Sequence, residues 1–179
     1  MEIAAEPGLL RRWRRGDEAS LVRYANNRRI WRHLLDRFPN PYGPAEAKAW
    51  IDSQQGIERP TNLAIEYRGE AVGSVGLEPF TDVYRRTAEV GYWIAEAHWG
   101  RGLATAAVVA FTDYAFANFD FERLQATVFA TNPASGRVLE KAGYHLEGRL
   151  RRAIFKDGEV LDAVLWARIR TPEDGGAVE

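Results

Sequence analysis

The sequence predicts an α+β domain whose central sheet is mostly antiparallel, with about seven strands flanked by helices. Two glycine-containing turns, at Gly69 and at Asp157-Gly158, each join two apolar segments in the manner of tight antiparallel hairpins. Between these turns, Leu103, Ala107 and Phe111 recur at helical spacing. Helices and strands are thus mixed, while most neighbouring strands are joined by hairpins, which favours α+β over a parallel sheet.

The first part of the chain is expected to form one short strand and several helices. The strand covers residues 9–13, and Asp17 is expected to cap the helix that runs through Leu21 to Ala25. Residues 30–35 continue as a second helical segment. Three prolines within residues 38–44 require a loop, after which a helix spans about residues 45–55.

The rest of the chain alternates strands with helices. Strands are predicted over residues 62–67, 71–77, 87–94, 124–129, 146–155 and 160–169. A long helix starts near Leu103, and a short helix covers residues 132–141. In the short helix, Asn132 is the expected N-cap before Pro133, and Gly143 follows the last turn as a C-cap glycine.

Length and composition limit the class of protein. With 179 residues, 46% hydrophobic and 27% charged, one domain over residues 1–170 and a tail over residues 171–179 are expected. No apolar run approaches the roughly 18 residues of a membrane span. The absence of cysteine excludes disulfides and zinc–thiolate sites, and the three scattered histidines lack metal-ligand spacing, so no metal is expected. Charges follow a very short apolar patch at the start, unlike a signal peptide, so a cytoplasmic location is expected.

The charge is unevenly distributed. The net charge is −1, yet nine arginines from Arg11 to Arg37 are accompanied only by Asp17, Glu18 and Asp36, a local charge of +6. Such a cluster is typical of some nucleic-acid-binding surfaces. Acidic residues interrupt it and the arginines do not keep to one helical face, so a solvated helix surface is the preferred interpretation. Nucleic-acid binding is the less favoured alternative.

A glycine-rich segment, WGRGLAT at residues 99–105, lies between a strand and the long helix. Glycines at such a turn let the backbone approach a ligand closely, and the free N–H groups of the first helical turn favour phosphate. The segment lacks the Lys-Ser/Thr pair of a P-loop and does not complete a dinucleotide-binding GxGxxG. From spacing alone, an ordinary two-glycine loop remains an equal alternative.

A second segment, NPASGRVLEKAGY at residues 132–144, directly follows a strand. Asn132 and Ser135 are three residues apart and share one helix face. Capping explains Asn132 fully, and a serine at this position is usually a solvated helix residue.

Together, the two segments resemble the core of a GNAT N-acetyltransferase. AEVGYWIAEAHWGRGLATAAV followed by NPASGRVLEKAGY is similar to the RimJ/RimL type, the ribosomal-protein N-acetyltransferases. The resemblance extends to LRRWRRGDEASLVRYANNRRIWRHL and KDGEVLDAVLWARI, and covers residues 8–170. It implies a single GNAT domain with a splayed strand pair at the acetyl-CoA site. It also implies acetyl transfer from acetyl-CoA to a primary amine by direct attack in a ternary complex.

The resemblance assigns the cofactor site. Backbone N–H groups of the glycine-rich segment would hold the pyrophosphate of acetyl-CoA; their residues are Gly100, Arg101, Gly102, Leu103, Ala104 and Thr105. The strand Tyr92-Trp93-Ile94 would pair with the pantetheine arm, and an N–H there would polarise the thioester carbonyl. Asn132 would donate a hydrogen bond to the pantetheine.

The resemblance also suggests catalytic residues. Ser135 matches the serine of the Asn-x-x-Ser pattern and is the candidate acid, or a hydrogen-bond donor to the thiolate. Leu139 stands where many GNAT enzymes carry a tyrosine acid, so that role is not available at this position. Glu89 is the candidate base. An ion pair between Glu89 and Arg85 or Arg86 is an equally weighted alternative.

The acceptor is expected to bind at the early helices and the proline loop, where Trp31 and Tyr42 are the candidate pocket residues. A protein N-terminus or a small-molecule amine are both compatible acceptors, and a homodimer is possible. Two other functions are alternatives: a CoA-binding sensor of the same fold without catalysis, and the nucleic-acid-binding protein described above.

Overall fold

A computed structural model describes residues 1–174 and places eight strands in one sheet. The strands are β1 (Glu2–Ala5), β2 (Gly8–Arg11), β3 (Asn62–Tyr67), β4 (Glu70–Pro79), β5 (Thr87–Ile94), β6 (Arg123–Phe129), β7 (His145–Lys156) and β8 (Glu159–Ile169). Their order across the sheet is β1-β2-β3-β4-β5-β6-β8-β7. The α+β prediction is confirmed, with β1 as a strand that the sequence analysis did not predict.

Five α-helices flank the sheet. They are α1 (Glu18–Ala25), α2 (Arg28–Trp31), α3 (Pro44–Ser53), α4 (Leu103–Asn118) and α5 (Pro133–Lys141). A buried cluster around Phe111, Phe116 and Tyr144 joins α4 and α5 to one face of the sheet. A second cluster around Leu21 and Ile51 joins α1 and α3 to the other face. The sheet is therefore covered on both faces.

Both predicted hairpin turns are present. Arg68 and Gly69 have φ angles of 53° and 83°, and Asp157 and Gly158 have φ angles of 54° and 80°. Two successive positive φ angles are typical of the type I′ turn, whose twist matches that of antiparallel strands. The turns connect β3 to β4 and β7 to β8.

One strand pair breaks the antiparallel pattern. β5 and β6 are parallel and pair at only three positions, Thr87 with Arg123, Ala88 with Leu124 and Glu89 with Gln125. Beyond Glu89, β5 stays paired with β4 and β6 stays paired with β8, so the two strands separate. We call this opening between residues 90–94 and 127–129 the fork. It corresponds to the splayed pair that the resemblance implied.

Asp17 does not cap α1 through its side chain, contrary to the prediction. Its carboxylate instead accepts two hydrogen bonds from the Arg11 guanidinium, at 2.7 and 2.9 Å. Glu66 is the second carboxylate partner of Arg11, and Arg11 and Asp17 are only 3% and 5% exposed. A buried guanidinium requires anionic partners, and this requirement outweighs the capping preference.

The end of the described chain is folded against the domain. Residues 171–174, which the sequence analysis placed in a tail, include the 3₁₀ turn Pro172–Asp174. Asp174 accepts hydrogen bonds from the Thr171 N–H at 2.7 Å and from Arg168 at 2.9 Å. Residues 175–179, the rest of the predicted tail, lie outside the described residues.

Candidate active site

The base of the fork is occupied by the carboxylate of Glu89. One oxygen accepts a hydrogen bond from the Thr127 N–H at 2.6 Å, and the other accepts one from Gln125 Nε2 at 3.0 Å. Arg86, which the sequence analysis offered as an ion-pair partner for Glu89, instead contacts Asp120 and Glu122. Glu89 is therefore held by neutral donors on the opposite strand.

The backbone of β5 faces the fork at alternate residues. The Phe80 N–H donates to the Thr87 carbonyl at 3.0 Å, and the Ala95 N–H donates to the Val72 carbonyl at 2.7 Å. Hydrogen-bonded positions alternate along an antiparallel pair. The odd-numbered residues of β5, Trp93 included, thus direct their backbone groups toward β4, while Val90, Tyr92 and Ile94 direct theirs into the fork.

These positions refine the predicted pantetheine strand. The Ile94 carbonyl accepts a hydrogen bond from Trp99 Nε1 at 2.8 Å, which leaves its N–H facing the fork. Trp93 is opposite Ser74 in β4, and its side chain packs in the cluster beneath α1 and α3. Of the three predicted residues, Tyr92 and Ile94 therefore present a backbone edge to the fork and Trp93 does not.

The glycine-rich segment leads from β5 into α4 with its N–H groups free. Gly100 and Gly102 have φ angles of 74° and 79°, and α4 begins directly after Gly102. Within residues 1–174, no N–H between Gly100 and Thr105 donates to another protein group. A Cβ added to either glycine would meet nothing within 4 Å, so the space beside this segment is open. The glycines are therefore needed for their positive φ angles and not for lack of room. A run of free N–H groups at a helix N-terminus suits a pyrophosphate.

Helix α5 starts at the other arm of the fork. Asn132 is its N-cap, as predicted, and its Oδ1 accepts a hydrogen bond from the Ser135 N–H at 3.4 Å. The Asn132 amide NH₂ has no protein partner in the part of the chain that the structure describes, so it is free to donate to a ligand. Leu139 is fully buried one turn later.

Ser135 is hydrogen-bonded to a residue of β5. The Tyr92 hydroxyl lies 2.7 Å from Ser135 Oγ and 3.1 Å from the Ser135 carbonyl. Burial raises the pKa of the Tyr92 phenol, so this group stays protonated at neutral pH. Tyr92 thus brings its side chain as well as its backbone to the candidate site.

The segment that includes α2 crosses the open end of the fork. The Asn27 Nδ2 donates to Glu96 at 2.8 Å beyond the end of β5. The His33 ring packs edge-on against Phe129, the last residue of β6, with centroids 6.3 Å apart. This segment is therefore anchored to both arms of the fork.

The two candidate acceptor residues differ in surroundings. Trp31 is half-buried, with Lys156 Nζ 3.7 Å and the Arg28 guanidinium 5.3 Å from its ring centroids. Tyr42 is 4% exposed and packs against Phe38, and burial raises the pKa of Tyr42 to about 12. Tyr42 is therefore a core side chain, and Trp31 already has cations against its ring.

A cavity of about 380 Å³ lies where β5 and β6 begin. It is lined by Phe80, Tyr84, Thr87, Arg123 and Gln125. Gln125 links this cavity to the base of the fork, since its side-chain amide donates to Glu89. Sequence reasoning did not find it, because Phe80 and Tyr84 belong to a connection without a periodic pattern.

Most of the nine arginines between Arg11 and Arg37 contact acceptors within the protein. Those with a hydrogen bond to a carboxylate or carbonyl are Arg11, Arg12, Arg14, Arg23, Arg28, Arg29 and Arg37. Their partners belong to several elements on different sides of the domain. The cluster thus consists largely of ion pairs and hydrogen bonds to groups within the protein.

His98, next to the glycine-rich segment, is packed between two aromatic rings. The Tyr24 and Tyr67 centroids each lie 5.6 Å from its own, and both ring nitrogens are buried without a protein partner among residues 1–174. Burial, with a smaller effect of Arg101, lowers the pKa of His98. His98 is therefore a packed side chain rather than a freely exposed one.

Two kinds of feature are absent from residues 1–174. No helix among them is long and apolar enough to cross a membrane. No three of their histidine, aspartate or glutamate side chains are grouped so as to hold a metal ion.

Known proteins resemble this chain over most of its length. Residues 9–145 match the family described as the acetyltransferase (GNAT) domain. The Bacillus subtilis protein YoaA, an uncharacterized N-acetyltransferase, is 33% identical over 104 residues, 58% of each chain. The ribosomal-protein-serine acetyltransferase of Escherichia coli is 34% identical over 84 residues, 47% of each chain. The chain thus spans about half the length of these curated relatives.

Among solved structures, the fold is similar to Mycobacterium smegmatis RimJ in complex with CoA-disulfide. The TM-score is 0.78 at 28% identity, with 90% of this chain and 81% of that chain covered.

Proposed function

The chain belongs to the GNAT acetyltransferase family, and from this premise we propose that it transfers an acetyl group from acetyl-CoA to a primary amine. The observation that carries the proposal is the continuity of the fork with the glycine-rich segment. Free backbone groups of Tyr92 and Ile94 lead to a helix start whose N–H groups lack protein partners. An extended ligand with a pyrophosphate at one end fits this arrangement.

The residues present fit acetyl-CoA in two places. The N–H groups from Gly100 to Thr105 would bind the pyrophosphate, and the unpaired edge of β5 together with the Asn132 amide would bind the pantetheine arm. Acetyl-CoA supplies the activated acetyl group. An N–H of Tyr92 or Ile94 would stabilise negative charge that develops on the thioester oxygen.

Glu89 would act on the attacking amine and Ser135 on the leaving sulfur, from the two faces of the fork. An attacking amine must be neutral, and Glu89 would remove the ammonium proton directly or through water. Ser135 would donate a hydrogen bond to the sulfur as the C–S bond breaks. Bound together in the fork, the thioester and the amine would react at a lower entropic cost than when free in solution.

The acceptor is proposed to carry a single ammonium group, as a protein N-terminus or a small monoamine does. The carboxylates around the open end of the fork already have cationic partners: Glu96 pairs with Arg29, and Asp157 pairs with Arg28. Glu89 is held by neutral donors and is free to receive one ammonium. The name of the Escherichia coli relative, which refers to ribosomal-protein serine, supports a protein acceptor.

A thiol-release assay with acetyl-CoA tests the proposal across monoamines, polyamines and peptides with free N-termini. We expect thiol release with at least one monoamine or peptide, and an increase in Tm when CoA is added. Pantetheine is the matched control ligand, since it lacks the pyrophosphate and should protect far less. If CoA gives no protection against unfolding, the cofactor assignment is wrong.

A further inference from the structure

The Tyr92 side chain spans the fork. Tyr92 belongs to β5, whereas Ser135 lies in the first turn of α5, which follows β6 along the chain. The 2.7 Å contact between their hydroxyl oxygens therefore joins the two arms on the face covered by α4 and α5. Glu89, on the opposite face of β5, joins the same arms at the base.

The hydrogen of the Tyr92 phenol has two acceptors within reach, Ser135 Oγ and the Ser135 carbonyl. If it goes to Oγ, the serine hydroxyl keeps its own hydrogen for another acceptor. If it goes to the carbonyl, the serine hydrogen is used to bond the phenol oxygen. Ser135 Oγ has no further protein partner in the described chain. The acceptor that the Tyr92 phenol chooses between these two therefore determines where the serine hydrogen points.

We propose that Tyr92 is a positioning residue that donates to Ser135 Oγ and so directs the serine hydrogen into the fork. The inference rests on the proposed function and adds a residue to it. As the C–S bond breaks, its electron pair stays on sulfur, and Ser135 stabilises the thiolate by hydrogen bonding. Both protons remain on their oxygens, and the thiolate takes a proton from solvent after release.

Other hydroxyl groups nearby do not fill this role. Position 139 is a fully buried leucine and offers no hydroxyl. The Tyr144 hydroxyl is 2.9 Å from Thr112 Oγ1 and is engaged there, away from α5. Tyr92 therefore supplies, from β5, the phenol that α5 lacks.

Tyr92→Phe, Ser135→Ala and the double variant test the proposal. Tyr92→Phe removes the donor that orients Ser135, so the serine hydrogen bond to the developing thiolate is weakened, and kcat should fall by about 10- to 100-fold. The KM for acetyl-CoA should change less than about threefold, because the backbone of Tyr92 is retained. The double variant should be no slower than the slower single variant, since the two hydroxyls act in series.

Tyr144→Phe is the matched control, because it removes another buried phenol on the same face of the sheet. It should leave kcat within about twofold of the wild type. An unchanged kcat for Tyr92→Phe, or a double variant whose losses multiply, overturns the proposal. A rise in KM with constant kcat overturns it as well, because Tyr92 would then only bind the donor.

A thermal-unfolding cycle of the same four proteins without substrate separates this inference from the proposed function. Coupling between the two hydroxyls is expected, and its absence overturns the inference while leaving acetyl transfer intact. Coupling without thiol release from any acceptor overturns the proposed function and the catalytic use of this bond.

Discussion

The carboxylate of Glu89 accepts a hydrogen bond from the Thr127 N–H at 2.6 Å, at the level where β5 and β6 separate. Here the Glu89 side chain takes the place of a backbone acceptor. If β5 and β6 had continued as a parallel pair, a carbonyl of β5 would have accepted the Thr127 N–H. The carboxylate is thereby fixed at the base of the fork without an arginine partner. This arrangement suits a base that must receive a proton from an incoming ammonium.

Glu89→Gln should lower kcat by about 10²- to 10⁴-fold, because the amide keeps an acceptor for Thr127 but cannot take a proton. Steady-state kinetics with the preferred acceptor measures the effect. Glu78→Gln is the control, since Glu78 lies directly opposite Glu89 in β4 but pairs with Arg37. Equal activities of the two variants would remove Glu89 from the mechanism.

Gly102→Ala should weaken CoA binding about tenfold and lower the free energy of unfolding by roughly 1 kcal/mol. The cause is the φ angle of 79°, since a left-handed conformation costs a residue with a Cβ about 1 kcal/mol. Calorimetry and urea denaturation provide the two values. Gly148→Ala is the control, because Gly148 also has open space around it but does not need a left-handed φ. Unchanged CoA affinity for Gly102→Ala would contradict the pyrophosphate assignment.

Asp17→Asn should destabilise the protein by about 2–4 kcal/mol, because it leaves the buried Arg11 guanidinium with Glu66 as its one carboxylate partner. Chemical denaturation measures the change. Asp52→Asn removes a carboxylate from the exposed pair with Lys48 and should leave the denaturation midpoint unchanged. Similar midpoints for both variants would show that the Arg11 network contributes little to stability.

His98 should make stability fall as the pH drops below 6.5, the ordinary pKa of histidine. Burial lowers the pKa of His98 in the folded protein, so the unfolded chain binds the proton more readily and acid favours unfolding. His98→Phe keeps an aromatic ring between Tyr24 and Tyr67 and removes this effect. Tm values from pH 7.5 to 5 should therefore fall more steeply for the wild type.

The control for this pH effect is His145→Gln, at an exposed position of β7. Burial also lowers the pKa of His33, but this residue is present in all three proteins and its contribution cancels in the comparison. Parallel curves for the wild type and His98→Phe would refute the prediction.

Local patterns were sufficient for most elements of the fold. The two glycine turns specify their hairpins through backbone conformation, and the N-cap at Asn132 depends on the adjacent Pro133. The role of Asp17 could not be predicted, because its partner Arg11 is buried where β2 pairs with β3, and this pairing brings Glu66 to the same guanidinium. Local spacing does not reveal that arrangement. β1 was missed because a four-residue strand carries too little periodicity.

The candidate site, too, was predictable only where local patterns determine it. Spacing located the glycine-rich segment and the Asn132–Ser135 pair, since each lies at a helix start. The contact between Tyr92 and Ser135 joins residues 43 positions apart, and the strand pattern shows only that Tyr92 faces away from Trp93. Which helix covers that face depends on the fold of the whole chain.

The three residue pairs between β5 and β6 have a consequence for cooperativity. They join two antiparallel halves of the sheet, β1 to β5 and β6 to β8, along a short seam. A ligand that lies in the fork would act as an additional strand and couple the opening of the two halves. Amide hydrogen exchange at Tyr92 and Ile94 would then slow together with exchange at Phe129. A joint slowing of these three amides would therefore show that a ligand occupies the fork.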